Sequence, residues 1–185
     1  MSAVAATLPT MTDTETDTAR AAAKRINDAF QSQGLFEPFW GRAPGWLGST
    51  ISRMLTLTGF DELPYLTCRG DEDDDENGQR SAIIVAFSAS ALVIAHVADA
   101  RSNSAVVTVR AIPRRTLTGI ESTESTTNLL SDNVSWNTWP GSYQLALHYS
   151  DGTDLTLPIG RYPKSEDMYA FESLRPSLLA DLAAV

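Results

Sequence analysis

Between Ser81 and Ala183 the hydrophobic residues first alternate in short runs and then change to helical spacing. Alternation with a period of two predicts half-buried β-strands, and the later spacing of three and four predicts one amphipathic helix. The helix is expected to begin at Ser165 and to be kinked or divided by Pro176. Seven strands are predicted, at residues 63–69, 81–87, 91–97, 105–112, 116–123, 143–149 and 155–159.

The N-terminal third has a different pattern. Residues 1–16 show no periodicity and are predicted to be a disordered tail. A helix capped by Asp17 or Thr18 follows and ends at Gly34, and Ser49 is expected to cap a second, short helix. The chain is therefore divided into the tail, a helical and aromatic-rich extension at 17–60, and a strand-rich domain at 61–185.

Four large aromatic side chains lie in the Gly- and Pro-containing segment 35–48, which is predicted to be a loop. One interpretation is that the loop folds over the domain and fills part of its core, and this is the interpretation we favour. The other is a docking surface, because aromatic residues are enriched where protein partners bind. The four residues are Phe36, Phe39, Trp40 and Trp46.

Composition and charge narrow the classes of function. The chain has 185 residues, of which 43% are hydrophobic, and a net charge of −9 that is concentrated in six consecutive carboxylates at 71–76. Nucleic acids and anionic membranes are therefore not expected as partners, because both require Lys and Arg to neutralise phosphates. No apolar run has transmembrane length, the first residues lack the features of a signal peptide, and the single Cys68 excludes an internal disulfide. A cytoplasmic location is expected.

Seven strands followed by one helix resemble the pleckstrin-homology-like (PH-like) barrel of bacterial type. The segment Ala111–Glu121 looks like the turn between the two sheets of that family, and the Asp-Gly hairpin at 143–159 followed by Tyr169, Phe171 and Leu174 looks like its end. The predicted fold is therefore mainly β (α+β), a seven-stranded PH-like curled sheet or barrel capped by a C-terminal helix, with an N-terminal helical extension. A lipocalin-type barrel and a β-sandwich with a helix remain alternatives.

The resemblance implies a binding module and not an enzyme. Many members of this fold bind phosphoinositides through basic residues between the first two strands, but here that loop, Gly70–Arg80, carries six carboxylates. Like charges repel, so binding of an anionic membrane through this loop is not expected. Other members bind peptides against the barrel edge and the terminal helix, and this mode is compatible with the sequence.

No motif predicts a metal, a cofactor or a catalytic site. The acidic loop matches the first half of a calcium loop from Asp73 to Gly78, but Ile84 stands where a bidentate Glu is required. His96 and His148 lack metal-ligand spacing, and no Gly-x-Ser-x-Gly or glycine-rich phosphate motif is present. The acidic loop is accordingly interpreted as a solvated charged loop.

The candidate binding residues are aromatic or basic. The only basic cluster consists of Arg101, Arg110, Arg114 and Arg115. Arg110 and Arg114 are predicted to lie near one sheet edge, where they could receive an acidic peptide or the chain's own acidic loop. The predicted function is a non-enzymatic module that binds a protein or peptide. One alternative is a carrier or enzyme that holds a small ligand inside the barrel, lined by His96, His148 or Tyr149. Another is an assembly subunit, a homo-oligomer among the options, with its contact on the aromatic loop. The binding candidates are Phe39, Trp40, Trp46, Arg110 and Arg114.

Overall fold

The computed structural model describes residues 12–31, 43–59, 61–70, 80–125, 143–159 and 165–184. These residues form three α-helices, seven strands and one short 3₁₀ turn. The helices are α1 (Asp13–Gln31), α2 (Gly45–Thr58) and α3 (Ser165–Ala183), and the 3₁₀ turn is Arg114–Thr116. The strands are β1 (Tyr65–Gly70), β2 (Ala82–Phe87), β3 (Ala91–Ala98), β4 (Val106–Pro113), β5 (Leu117–Ser125), β6 (Tyr143–Tyr149) and β7 (Asp154–Leu157).

The strands form two antiparallel sheets in sequence order. The first sheet has the order β1-β2-β3-β4 and the second has the order β5-β6-β7. The 3₁₀ turn joins β4 to β5, and α3 contacts this turn, β1 and β5. The predicted α+β class with a terminal helix is confirmed. The described strands do not close into a barrel, so the predicted barrel is not confirmed.

Both faces of the first sheet are buried at β2 and along most of β3, as the near-continuous apolar runs of these strands require. One face packs against α1 and α2, where Ile26, Phe30 and Met54 have no exposed surface. The other face packs against the second sheet and α3, around Phe87, Phe171 and further fully buried side chains. The two N-terminal helices therefore form one layer of the core.

Helix α1 begins four residues before the predicted cap Asp17, so residues 13–16 of the predicted tail are helical, and residues 1–11 lie outside the described residues. The reason is a capping box at Thr12 and Glu15. The hydroxyl of Thr12 accepts a hydrogen bond from the Glu15 N–H at 3.3 Å, and the Glu15 carboxylate accepts one from the Thr12 N–H at 2.7 Å. Gly34, the predicted end of the helix, is not among the described residues.

Acid is expected to fray this end of α1. The hydrogen bond from the Thr12 backbone, and then that from its hydroxyl, lower the pKa of Glu15 below its ordinary value. The contribution of Glu15 is therefore present above the ordinary carboxyl pKa and is lost as pH falls through the lowered one. The protection of the first-turn amides of α1, which is the ratio of the intrinsic to the observed exchange rate at the same pH, should therefore fall in that pH range. A Glu15→Ala variant should show low protection at all pH values, whereas Glu15→Gln, which retains an acceptor, should keep a protection that does not change with pH. A pH dependence of protection in Glu15→Gln equal to that of the wild type would contradict the assignment.

The start of α2 and the continuity of α3 also differ from the prediction. Helix α2 begins at Gly45, after Pro44, and the predicted cap Ser49 lies inside its first turns, where its hydroxyl donates to the carbonyl of Trp46 at 2.8 Å. Proline suits the start of a helix because its fixed φ is already close to the helical value. Helix α3 continues through Pro176 as one element and is not divided there. The buried stripe on both sides of the proline, at Phe171, Leu174 and Leu178, holds the two halves against the core.

Candidate functional site

The guanidinium group of Arg114 joins three parts of the chain where β4 turns into β5. Its Nε donates to the Asp181 carboxylate of α3 at 2.7 Å, and its Nη2 lies 2.6 Å from the same Oδ2. Nη2 also donates to the Ser177 hydroxyl at 2.8 Å, and Nη1 donates to the Ser88 carbonyl at 3.0 Å. These bonds tie the C-terminal end of α3 to both the β2–β3 turn and the β4–β5 corner.

Arg114 is buried, with 7% of its side chain exposed against 23% for Asp181. The guanidinium also lies over the Phe87 ring, 5.9 Å from the centroid, which adds a cation–π contact. A buried charge is tolerated only when its partners satisfy it, and most of the Arg114 donors are satisfied here. Arg114 therefore has a structural role: it positions α3, and its charge is neutralised by Asp181.

Tyr149 lies close to this ion pair. Burial raises the pKa of its phenol, the Arg114 guanidinium opposes that shift, and the carboxylates of Asp181 and Asp151 add to it. The phenol therefore stays protonated at neutral pH. Its hydroxyl is buried and has no hydrogen-bond partner among the described residues.

A cleft of about 460 Å³ opens to solvent beside the Arg114–Asp181 pair. The β2–β3 turn, the end of β4, the 3₁₀ turn and the end of α3 contribute its walls. Most of its lining is small or apolar, and Arg115 is exposed at its rim. The lining residues are Ala89, Ser90, Ala91, Ala111, Pro113, Arg114, Arg115 and Asp181.

Arg110 lies on β4, the last strand of the first sheet, opposite Ile94 of β3. Its side chain is exposed. Along β4, Val107 and Val109 pack toward α2, whereas Ile112 packs toward the second sheet. Side chains alternate between the two faces of a strand, so Arg110 lies on the same face as Ile112. Because Arg110 is exposed, the second sheet does not cover this part of the face.

His148 forms a second polar group on the outer face of the second sheet. Its Nδ1 lies 2.7 Å from the Asp154 carboxylate of β7, and its Nε2 lies 3.9 Å from the Glu121 carboxylate of β5. Gly119 stands opposite His148 on β5, and a Cβ atom there would be in ordinary van der Waals contact with the ring, 3.4 Å from His148 Cδ2. The group spans three strands. Its two carboxylates are about three-quarters exposed, whereas the imidazole is about one-third exposed and its Nε2 atom is buried.

The histidines and the tyrosine of the small-ligand alternative do not come together. His148 is on the outer face of the second sheet, Tyr149 is in the core, and His96 is exposed on β3. The pKa of His96 is lowered, first by partial burial and then by the charge of Arg110. Fully buried aromatic and aliphatic side chains, among them Tyr65, Phe87 and Phe171, occupy the space between the sheets.

Of the predicted aromatic binding candidates, only Trp46 lies among the described residues. Phe39 and Trp40, together with Phe36, lie outside the described residues, and so do the six carboxylates of the acidic loop. Trp46 is buried in α2, with its ring in an edge-to-face contact with Phe30 at a centroid distance of 5.0 Å. For Trp46 the geometry agrees with the core-filling interpretation.

Two further kinds of feature bear on function in the described part of the chain: a cluster of metal ligands and a membrane-spanning helix. Its His, Cys, Asp and Glu residues form no group of three that could hold a metal ion. Cys68 is buried and, as the single cysteine of the sequence, forms no internal disulfide. None of the described helices has the length and hydropathy to cross a lipid bilayer.

The comparisons with known proteins give no relative. No family model, no curated protein and no solved structure matches this chain.

Two residues of the site were not predicted from sequence. Asp181 was missed because it lies 67 residues from Arg114, although a carboxylate between the apolar Leu178 and Leu182 is a usable signal of a buried ion pair. Arg115 was assigned to the basic cluster without a role. The exposed arginines of this region are Arg110 and Arg115, and Arg114 is not one of them.

Proposed function

We propose that this chain is a non-enzymatic binding module with a PH-like arrangement of strands, and that its ligand is a protein or a peptide. The observation that carries the proposal is the cleft beside α3, which is open, mostly apolar and rimmed by Arg115. An apolar cleft with few polar groups is the usual form of a recognition site. Because the cleft is open to solvent, a side chain of a protein or peptide can enter it while the rest of that partner stays outside.

The PH-like assignment rests on element order. Four strands, a corner, three strands and a terminal helix follow one another as in that family, and the helix contacts the first and fifth strands. Peptide binding between a sheet edge and the terminal helix is one of the modes of the fold, and the cleft combines the end of β4 with the end of α3. A cytoplasmic location is part of the proposal, supported by the presence of a single cysteine, Cys68, which cannot form an internal disulfide.

The alternatives have less support. A ligand inside the sheets would compete for space with Tyr65, Phe87 and Phe171, which are fully buried there. An assembly contact through the aromatic loop would have to use residues other than Trp46, which packs against Phe30.

Selection of short random peptides against the immobilised protein tests the proposal. We expect selected peptides to shift the amide resonances of Ala89, Ala91 and Arg115. An Ala89→Trp variant should reduce their affinity at least tenfold, because a large side chain on this exposed turn fills the cleft. Ala98→Trp, at the opposite end of β3, is the matched control and should bind normally. Failure to select any peptide, or equal binding to both variants, would overturn the proposal.

A further inference from the structure

The outer edge of β4 presents backbone groups that no described strand pairs with. The Val107 carbonyl accepts a hydrogen bond from Arg53 Nη1 at 3.0 Å, so it points away from β3. In an antiparallel strand both backbone groups of one residue point to the same side, and the side alternates along the strand. Val109 and Ala111 therefore also direct their N–H and C=O groups outward. Among the described strands, β4 has a neighbour only on its β3 side.

This edge has no β-bulge, and its only proline lies at the very end. Its pairing with β3 runs from Val106 to Pro113 without a register shift, whereas β5 contains two register shifts. Helix α2 packs on one face of β4, against Val107 and Val109, and its Arg53 side chain occupies the Val107 carbonyl. Val106, at the start of the strand, is 69% exposed. A long, regular and apolar edge is a template for another strand.

The charges beside the edge are positive. Arg53 lies at its Val107 end, Arg110 lies near its middle, and Arg115 lies just beyond Pro113. All three are exposed in a chain with a net charge of −9. One carboxylate reduces this positive potential, because Asp151 in the β6–β7 turn is within electrostatic range of Arg110. Charge complementarity therefore favours an acidic partner strand.

We propose that the outer edge of β4 binds an extended acidic peptide as an added strand, at the backbone groups of Val109 and Ala111. This proposal specifies the ligand of the proposed binding function, and it rests on that function for the class of ligand, a protein or a peptide. A second copy of the chain is not favoured as the occupant. Twofold pairing of this edge with itself would bring Arg110 and Arg53 of two copies together, and like charges across an interface oppose association.

The probe is an acetylated and amidated octapeptide that alternates glutamate and valine. Two control peptides accompany it: one alternates lysine and valine, and the other keeps the acidic sequence but is N-methylated at every residue, which removes all its backbone donors. We expect binding of the first peptide only. Hydrogen exchange at Val109 and Ala111 should be fast in the free protein and slow by at least tenfold in its presence.

Charge reversal supplies the matched protein variants. Arg110→Glu should weaken binding of the acidic octapeptide about tenfold or more, because repulsion replaces attraction at an exposed site. Arg20→Glu makes the same change on α1, where the side chain is 77% exposed, and should bind normally. Both variants alter exposed positions, so both are expected to fold.

Three results would overturn the proposed addition of a strand at β4. Binding of the N-methylated peptide equal to that of its parent would show attraction by charge alone and would overturn strand addition. No binding of the octapeptide, while display-selected peptides still bind at the cleft, would overturn this inference and leave the proposed function standing. A concentration-dependent dimer with slow exchange at Val109 and Ala111 would also overturn it, because a second copy would then occupy the edge.

Discussion

An Arg114→Met variant is expected to lose about 3 kcal/mol of its free energy of unfolding. The substitution leaves the Asp181 carboxylate and the carbonyl of the fully buried Ser88 without their donors. Removal of one partner from a buried ion pair costs about 3–5 kcal/mol, and the lower end applies because Asp181 retains some contact with water. Urea denaturation followed by circular dichroism measures the loss as a lower midpoint with an unchanged slope.

Two further variants distinguish the ion pair from a general effect of removing arginine. Arg115→Met alters the exposed neighbour and should change the free energy of unfolding by less than about 0.5 kcal/mol. The double variant Arg114→Met, Asp181→Leu removes both charges and should recover much of the stability, because no uncompensated charge remains. Equal stabilities of Arg114→Met and Arg115→Met would show that the pair does not hold α3 in place.

The same variant links the fold to the proposed site. Arg114 fixes the end of α3, which carries Asp181 into the wall of the cleft. We therefore expect Arg114→Met to weaken peptide binding at the cleft even where the protein remains folded. Binding at the β4 edge should be much less affected, since its backbone groups depend on β3 and not on α3.

The strands were predictable from the sequence because burial on alternate positions imposes a period of two. The strict alternation of Tyr143–Tyr149 gave both ends of β6 correctly, with every second residue buried. The terminal helix and its start near Ser165 were also predicted, since Phe171, Leu174 and Leu178 mark one face, but the predicted division at Pro176 was wrong. Starts of helices were less predictable. The Thr12–Glu15 capping box lies in a polar segment that carries no hydrophobic period.

The candidate site was less predictable because it depends on distant pairs. The sequence places Arg110 and Arg114 on one basic segment, and period-two counting puts both on the same side of a strand. The chain turns at Pro113, so Arg114 enters the 3₁₀ turn and points into the interior toward Asp181. Only the tertiary structure identifies that partner. Likewise, the alternation of β4 predicts a strand, but its position at the edge of the sheet follows from topology.

A Phe30→Ala variant is expected to lose about 4 kcal/mol of its free energy of unfolding in a single transition. Phe30 has no exposed surface, packs edge-to-face on Trp46, and belongs to the cluster between the N-terminal helices and the first sheet. The loss of a buried aromatic ring removes its transfer free energy and leaves a cavity. Because the helices cover a sheet face that is fully apolar, the whole domain should unfold together at a lower urea concentration.

Chemical labelling of the Cys68 thiol measures the same unfolding of the domain independently. It is 4% exposed and lies in this cluster, so a thiol reagent reaches it only when the helical layer opens. If opening is global, Phe30→Ala should accelerate labelling by roughly several hundredfold, in proportion to the larger unfolded population. Leu179→Ala, at a position 52% exposed on α3, should leave both measurements near the wild type. Fast labelling of the Phe30→Ala variant with an unchanged urea midpoint would instead mean that α1 and α2 detach as a separate unit, and that the first sheet is stable without them.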